Sequence, residues 1–106
     1  MPFVNLADFK ERELIPGFRV RFVHSEHMTF AYWTIRAGAA LPLHSHPHEQ
    51  VATITKGRLE MTIEGETRVL EPGTVAVIPP NARHSGTALT DSEIVDAFYP
   101  VREDYR

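Results

Sequence analysis

Polar and apolar residues alternate along much of this chain. In RLEMTIE, residues 58–64, Leu59, Met61 and Ile63 fall on one side, and Arg58, Glu60, Thr62 and Glu64 on the other. A period of two is the signature of a strand with one buried face. FRVRFVH, residues 18–24, repeats it, with Phe18, Val20 and Phe22 opposite Arg19 and Arg21. The segments MTFAYWTI, VATIT, TVAVI and EIVDAFYPV are dominated by β-branched and aromatic residues, which suit strands. Turn formers separate these runs: Pro16-Gly17, Gly38, Lys56-Gly57, Gly65, Pro72-Gly73 and Pro79-Pro80-Asn81. No stretch holds a helical period over three turns, and the opening LADFKEREL supports a short helical turn at most. The pattern predicts roughly eight to ten short strands in an all-β sandwich, jelly roll or barrel. With no composition shift, linker or low-complexity tract, a single domain over residues 1–106 is expected.

Composition narrows the function classes. The chain is 42% hydrophobic and 24% charged, as in ordinary globular proteins. Its net charge is −3 and no run of Lys or Arg appears, which argues against nucleic acid as a partner. There are no cysteines, so disulfides and thiolate zinc sites are excluded. The opening MPFVNLADFKEREL lacks the basic start and apolar stretch of a secretory signal, and no apolar run is long enough to span a bilayer. A cytoplasmic protein without a membrane partner is expected.

The stretch HSHPHEQ, residues 44–50, places three histidines, a glutamate and a glutamine in seven positions. On a strand His44 and His46 point the same way, and Gln50 shares their parity. Two imidazoles and a side-chain oxygen suit a divalent metal with open coordination positions. His84, in PPNARHSG, would supply a fourth ligand from a neighbouring strand. The alternative is a histidine-rich solvent loop.

The wider spacing resembles the cupin family. Gly38, His44, His46, Gln50 and Gly57 fall in the register of the first cupin motif (38–57), and Gly73, Pro79 and His84 in that of the second (73–88), with a short hairpin near Glu64 to Thr67 between them. The resemblance implies a double-stranded β-helix, the cupin jelly-roll barrel. Two positions depart from the pattern. Gln50 stands where a glutamate ligand is usual, and Asn81 where a glycine is usual, although asparagine tolerates a left-handed turn. A rival register pairing His46 with His48 puts Ala52 at the oxygen-ligand position, so His44 and His46 are preferred and His48 is assigned to the pocket rim. Glu49 is the fallback oxygen ligand, and His24 and His27 are read as surface residues.

Gln50 matters electrostatically. A neutral set of three histidines and one glutamine leaves the full charge of the metal uncancelled, giving a stronger Lewis acid that attracts anions. The last strand adds Asp96 and Phe98, which share parity with the apolar Ile94 and so face the interior. An interior carboxylate costs free energy unless it is paired or used. Arg102, beyond Pro100, is positioned to clamp a substrate carboxylate or to pair with Asp96.

Together, HPHEQ, a glutamine ligand and a last strand reading Asp-x-Phe-x-Pro-x-Arg resemble the pectin-degradation cupins, the uronate linearases. That resemblance implies ring opening of 4,5-unsaturated monouronates, from pectin or alginate, to 4-deoxy-5-keto sugars. It implies one divalent ion (nickel, zinc, iron or manganese) on His44, His46, Gln50 and His84, with Asp96 transferring protons and Phe98 and Arg102 shaping the site. A metal-dependent dioxygenase and a non-catalytic sugar-binding cupin are the competing readings. Apolar residues in MPFVNLADF have no place inside a compact barrel, so a homodimer is expected.

Overall fold

The computed structural model describes residues 2–106. A 3₁₀ turn at Leu6–Asp8 leads into β1 (Arg12–Ile15), β2 (Phe18–His24), β3 (Thr29–Ile35), β4 (Ala40–His44), β5 (Glu49–Lys56), β6 (Leu59–Ile63), β7 (Glu66–Leu70), β8 (Val75–Ile78), β9 (His84–Ala88) and β10 (Ser92–Tyr99), and a second 3₁₀ turn covers Glu103–Tyr105. The strands form two sheets, one ordered β1-β2-β3-β10-β5-β8 and the other β4-β9-β6-β7, with every pairing antiparallel. The chain repeatedly crosses between sheets, as in a jelly roll: β4 leaves the larger sheet, β5 returns to it, and β9 and β10 repeat the exchange.

The period-two pattern becomes the core directly. Along β10, Ser92, Ile94, Asp96 and Phe98 are buried while Glu93 and Tyr99 are exposed. On β6, Leu59 and Met61 are buried and Glu60 is exposed. Phe18, Ile35, Ile54, Leu59, Met61, Ile78 and Ile94 pack between the sheets, and Val20, Phe22, Ala31 and Phe98 form a second cluster towards one end. Burying side chains of this size stabilises the fold by about 1.5–3 kcal/mol each.

Two turns require left-handed backbone, and the second bears on the site. Gly57, between β5 and β6, has φ +85°, and a Cβ there would collide with the Asp91 carbonyl oxygen, so only glycine fits. Asn81 occupies the left-handed region at φ 66°, as its place in the second motif suggests. Its N–H donates to the His46 carbonyl at 2.8 Å, tying the loop before β9 to the loop before β5.

Candidate active site

Three histidines converge between the sheets. His44 ends β4 and is the register partner of His84, the first residue of β9, and their ring centroids are 4.1 Å apart. His46 lies beyond β4, in the connection to β5, and not on a strand as the alternation argument requires. It is instead oriented by its own loop: its ring stands 5.0 Å from that of His84 and 5.8 Å from that of His44.

The hydrogen bonds select the tautomers. His44 Nδ1 donates to the Pro42 carbonyl at 2.8 Å, His46 Nδ1 to the His48 carbonyl at 3.0 Å, and His84 Nδ1 to the Ala82 carbonyl at 2.9 Å. A carbonyl only accepts, so each Nδ1 carries a proton, and a ring that is neutral has its lone pair on Nε2. Backbone anchoring of the far nitrogen is how ligating histidines are held. One nitrogen from each of the three rings falls within 4.8 Å of the others. His84 Nε2 is buried with no hydrogen-bond partner among the described residues. Burial, then the nearby Arg102 charge, pulls His46 down to about 4, and burial lowers His84 as well. His46 and His84 are therefore neutral and offer lone pairs at neutral pH.

Gln50, buried on β5, brings its side-chain oxygen 3.0 Å from His46 Nε2. Two lone-pair groups at that separation repel unless a cation or a proton lies against both. The orphaned His84 nitrogen, the convergent lone pairs and this contact all fit a divalent cation. Glu49 is exposed on the opposite face of β5, away from the cluster. His48 does not line the cavity, contrary to its expected place on the rim. Its carbonyl orients His46 instead. His27 is exposed as anticipated, whereas His24 is half-buried and bonds Thr29.

Asp96 sits in the middle of β10, opposite Ala31 of β3 and Ala52 of β5. Those two small neighbours leave room above the sheet for its carboxylate. The Trp33 indole N–H donates to Asp96 Oδ2 at 2.9 Å, while Oδ1 is buried and has no hydrogen-bond partner among the described residues. Burial raises Asp96 to about 6, with Gln50, Trp33 and Arg102 pulling the other way. Arg102 does not pair with Asp96. Its Nε and Nη2 grip Asp104 at 3.0 and 2.7 Å. Its guanidinium lies over the rings of Phe98 and Tyr105, 4.8 and 4.1 Å from their centroids.

One cavity of about 160 Å³ joins the site, lined in part by Trp33, His44, His46, Gln50, His84, Asp96, Phe98, Arg102 and Tyr105. At ~30 Å³ per water this is space for a handful of waters, the scale of one small molecule. Sequence reasoning missed Trp33, Tyr105 and Asp104. Trp33 sits in the alternating β3 pattern as an ordinary core residue, and the other two follow the last strand, where no periodicity signals an approach to the site.

A jelly roll that gathers three backbone-anchored imidazoles and a buried acid around one small cavity defines a β-barrel with a candidate divalent-metal site. The chain belongs to the cupin family: the cupin domain matches residues 31–97. It is 36% identical to the pectin degradation protein KdgF of Dickeya dadantii, an alignment covering 98% of this chain and 90% of that protein. It is 32% identical to H2HPP isomerase of Bacillus subtilis over 94% of this chain, which spans only 43% of that longer protein. Among solved structures, KdgF from Halomonas sp. superposes with a TM-score of 0.89 at 30% identity, covering 98% of this chain and 96% of that one.

Proposed function

We propose that this protein is a single-domain cupin enzyme that opens the ring of 4,5-unsaturated monouronates, giving linear 4-deoxy-5-keto-uronates. The observation that carries this reading is the buried, unpartnered Oδ1 of Asp96 on the same small cavity as three convergent imidazoles. Similarity to KdgF over nearly the whole chain supports the same substrate class. Both pectin- and alginate-derived uronates present the chemistry the site addresses.

His44, His46, His84 and Gln50 would hold one divalent ion, with nickel, zinc, iron and manganese all compatible with such donors. An ion held there would supply Lewis-acid charge that stabilises the negative charge developing as the ring opens. The remaining work belongs to Asp96. Its carboxylate takes the proton of the C1 hydroxyl. As the C1 aldehyde forms, the bond from C1 to the ring oxygen breaks, and that oxygen leaves with the electron pair as an enolate on C5. Asp96 then returns the proton to C4, and the enolate becomes the C5 ketone. Atoms and electrons balance without an oxidant. A carboxyl raised to about 6 is matched to taking and returning a proton near neutral pH. Trp33 fixes Oδ2 and leaves Oδ1 for the transfer. Arg102 spends two donors on Asp104, so its remaining N–H groups address the substrate carboxylate. Phe98, beneath the guanidinium, forms an apolar wall of the cavity.

We place the protein in the cytoplasm as a homodimer. No helix among the described residues is long and apolar enough to cross a membrane. Phe3 and Val4 are 86% and 58% exposed on the N-terminal arm, an apolar surface suited to a second copy.

The ring-opening reaction is tested by adding purified protein to freshly prepared unsaturated galacturonate and following loss of the conjugated double bond in the ultraviolet. Metal-loaded protein that leaves this absorbance unchanged would exclude the reaction. Oxygen uptake under the same conditions would instead indicate dioxygenase chemistry.

A further inference from the structure

Thr29 opens β3 and is completely buried, with His24 and Phe98 as its register partners on the two neighbouring strands. Its hydroxyl oxygen accepts the backbone N–H of Arg102 at 2.8 Å and lies 2.8 Å from His24 Nδ1. We infer that Thr29 is a positioning residue for Arg102: its hydroxyl sets where the C-terminal segment, and with it the guanidinium, stands over the cavity. This inference rests on the ring-opening reading, in which Arg102 meets the substrate carboxylate.

The way the segment is held supports it. Beyond Tyr99 the chain leaves the sheet, so residues 100–106 have no strand ladder to fix them. Arg102 is braced by Asp104, Phe98 and Tyr105, three neighbours within four residues of it. Asp104 and Tyr105 stiffen the segment internally, while Phe98, on β10, meets only the guanidinium at the end of the Arg102 side chain. Other ties reach back to the body of the fold. Tyr105 stacks on Phe22, with ring centroids 4.4 Å apart. Arg12 reaches the Tyr105 carbonyl at an exposed position, where water competes. The bond from the Arg102 N–H to Thr29 is the buried, directional one.

Threonine satisfies two demands here. Its β-branch suits the strand, and its hydroxyl is the acceptor that a buried N–H outside any ladder requires. Valine has nearly the same shape and lacks the acceptor, so Thr29→Val leaves the Arg102 N–H unpaired at little cost in packing. Thr29→Ser restores the acceptor without the methyl group. A displacement of about 1 Å at a positioning group can cost 10²-fold in rate. Lost carboxylate binding common to ground and transition states is read in KM.

Two measurements test the inference, one free of activity. Amide hydrogen exchange by NMR on the protein without substrate should find the Arg102 amide protected in the wild type and in Thr29→Ser, and exchanging at least about tenfold faster in Thr29→Val. An Arg102 amide that exchanges freely in the wild type overturns the inference, whether or not the protein opens uronate rings. In kinetics on unsaturated galacturonate, Thr29→Val should raise KM about tenfold and change kcat by less than about threefold, at unchanged metal content. Thr29→Ser should stay within about twofold of wild type. Introduced into Arg102→Ala, Thr29→Val should have little further effect, because the two act as one unit. Equal losses in the Ser and Val variants, or a full Thr29→Val effect without the Arg102 side chain, would assign Thr29 to packing alone. If Thr29→Val does not fold, the wild-type and Thr29→Ser amide protection decides the question. A wild type inert towards the substrate refutes the ring-opening reading, while the exchange result stands apart from it.

Discussion

The indole N–H of Trp33 holds one oxygen of Asp96 at 2.9 Å, and the other oxygen of the same carboxylate is buried without a partner. One end of the acid is fixed and the other is left for chemistry. Removing the fixed end is therefore informative. Trp33→Phe keeps the aromatic packing against Phe18 and Phe22, 5.9 and 6.3 Å away, and deletes the donor. A hydrogen bond to a charged group contributes about 1.5–3 kcal/mol, so a carboxylate that loses its orientation should lower kcat on the order of tenfold or more. KM should change by less than about twofold, since Trp33 is not assigned to the substrate carboxylate. A kcat equal to wild type would show that Asp96 needs no such anchor.

Metal binding is the second expectation. Protein purified without a histidine tag should contain close to one divalent ion per chain by elemental analysis. His84→Ala deletes a buried nitrogen that has no other partner. It should lose most of the metal and nearly all of the ring-opening activity. Chelation should lower the melting temperature, because an ion that binds only the folded state stabilises it by mass action. Protein that stays empty after reconstitution would remove the site and the reaction with it.

Asp96→Asn keeps the shape of the side chain and deletes the proton carrier. Ring opening should fall by roughly 10²- to 10⁴-fold with metal retained. The same variant has a stability signature in metal-free protein. Burial raises Asp96 from 3.8 to about 6, so between these values the folded state holds the proton more tightly than the unfolded chain. The stability from this group is fully present below the lower value and is lost as pH rises through about 6, on the order of 3 kcal/mol. His46, lowered from 6.5 to about 4, works oppositely, contributing above the upper value and losing that contribution as pH falls. Only the wild-type minus Asp96→Asn difference isolates Asp96. Denaturant titrations from pH 4 to 7 should show Asp96→Asn gaining on wild type as pH rises. A flat difference would place Asp96 in a more polar setting than the fold indicates.

The N-terminal arm gives a simpler test. With Phe3 and Val4 largely exposed, light scattering at micromolar concentration should return twice the 12.0 kDa chain mass. A monomeric mass would leave those side chains without the proposed partner.

The barrel was legible in the sequence because one face of each strand had to be apolar. Leu59-Met61-Ile63 and Phe18-Val20-Phe22 point inward as their alternation predicts. The three histidines are legible through their spacing, but His46 lies off the strand to which alternation assigns it. That residue sits in a loop whose geometry depends on Asn81 and on the His48 carbonyl, contacts no periodicity encodes. Trp33 was hidden for a related reason. A tryptophan among alternating apolar residues reads as core, and only the register that brings β3 beside β10 makes it a partner of Asp96. The sequence leaves open a pairing of Arg102 with Asp96, but Asp104, two residues on along a tight turn, takes the bidentate bond.

Gln50 yields the last prediction, because it touches both halves of the proposed machinery. Its oxygen lies 3.0 Å from His46 Nε2, and its side chain also draws down the pKa of Asp96. Gln50→Glu is nearly isosteric and changes only charge. A carboxylate there cancels one unit of the metal charge, so metal affinity should hold or rise while the pull on a substrate anion weakens. It also sets a second negative charge beside a buried acid, which pushes Asp96 further up and leaves less of it ionised to take the first proton. Both effects lower the rate, and kcat/KM should fall on the order of 10- to 100-fold with one ion still bound. The pH at which kcat/KM reaches half its maximum on the acid side should move upward in the same variant. Gln50→Ala separates the two contributions, since it removes the oxygen donor without adding charge and should lose metal where Gln50→Glu retains it. If Gln50→Glu, fully metal-loaded, opens the ring as fast as wild type with an unmoved acid limb, the neutral ligand set is not what drives the reaction.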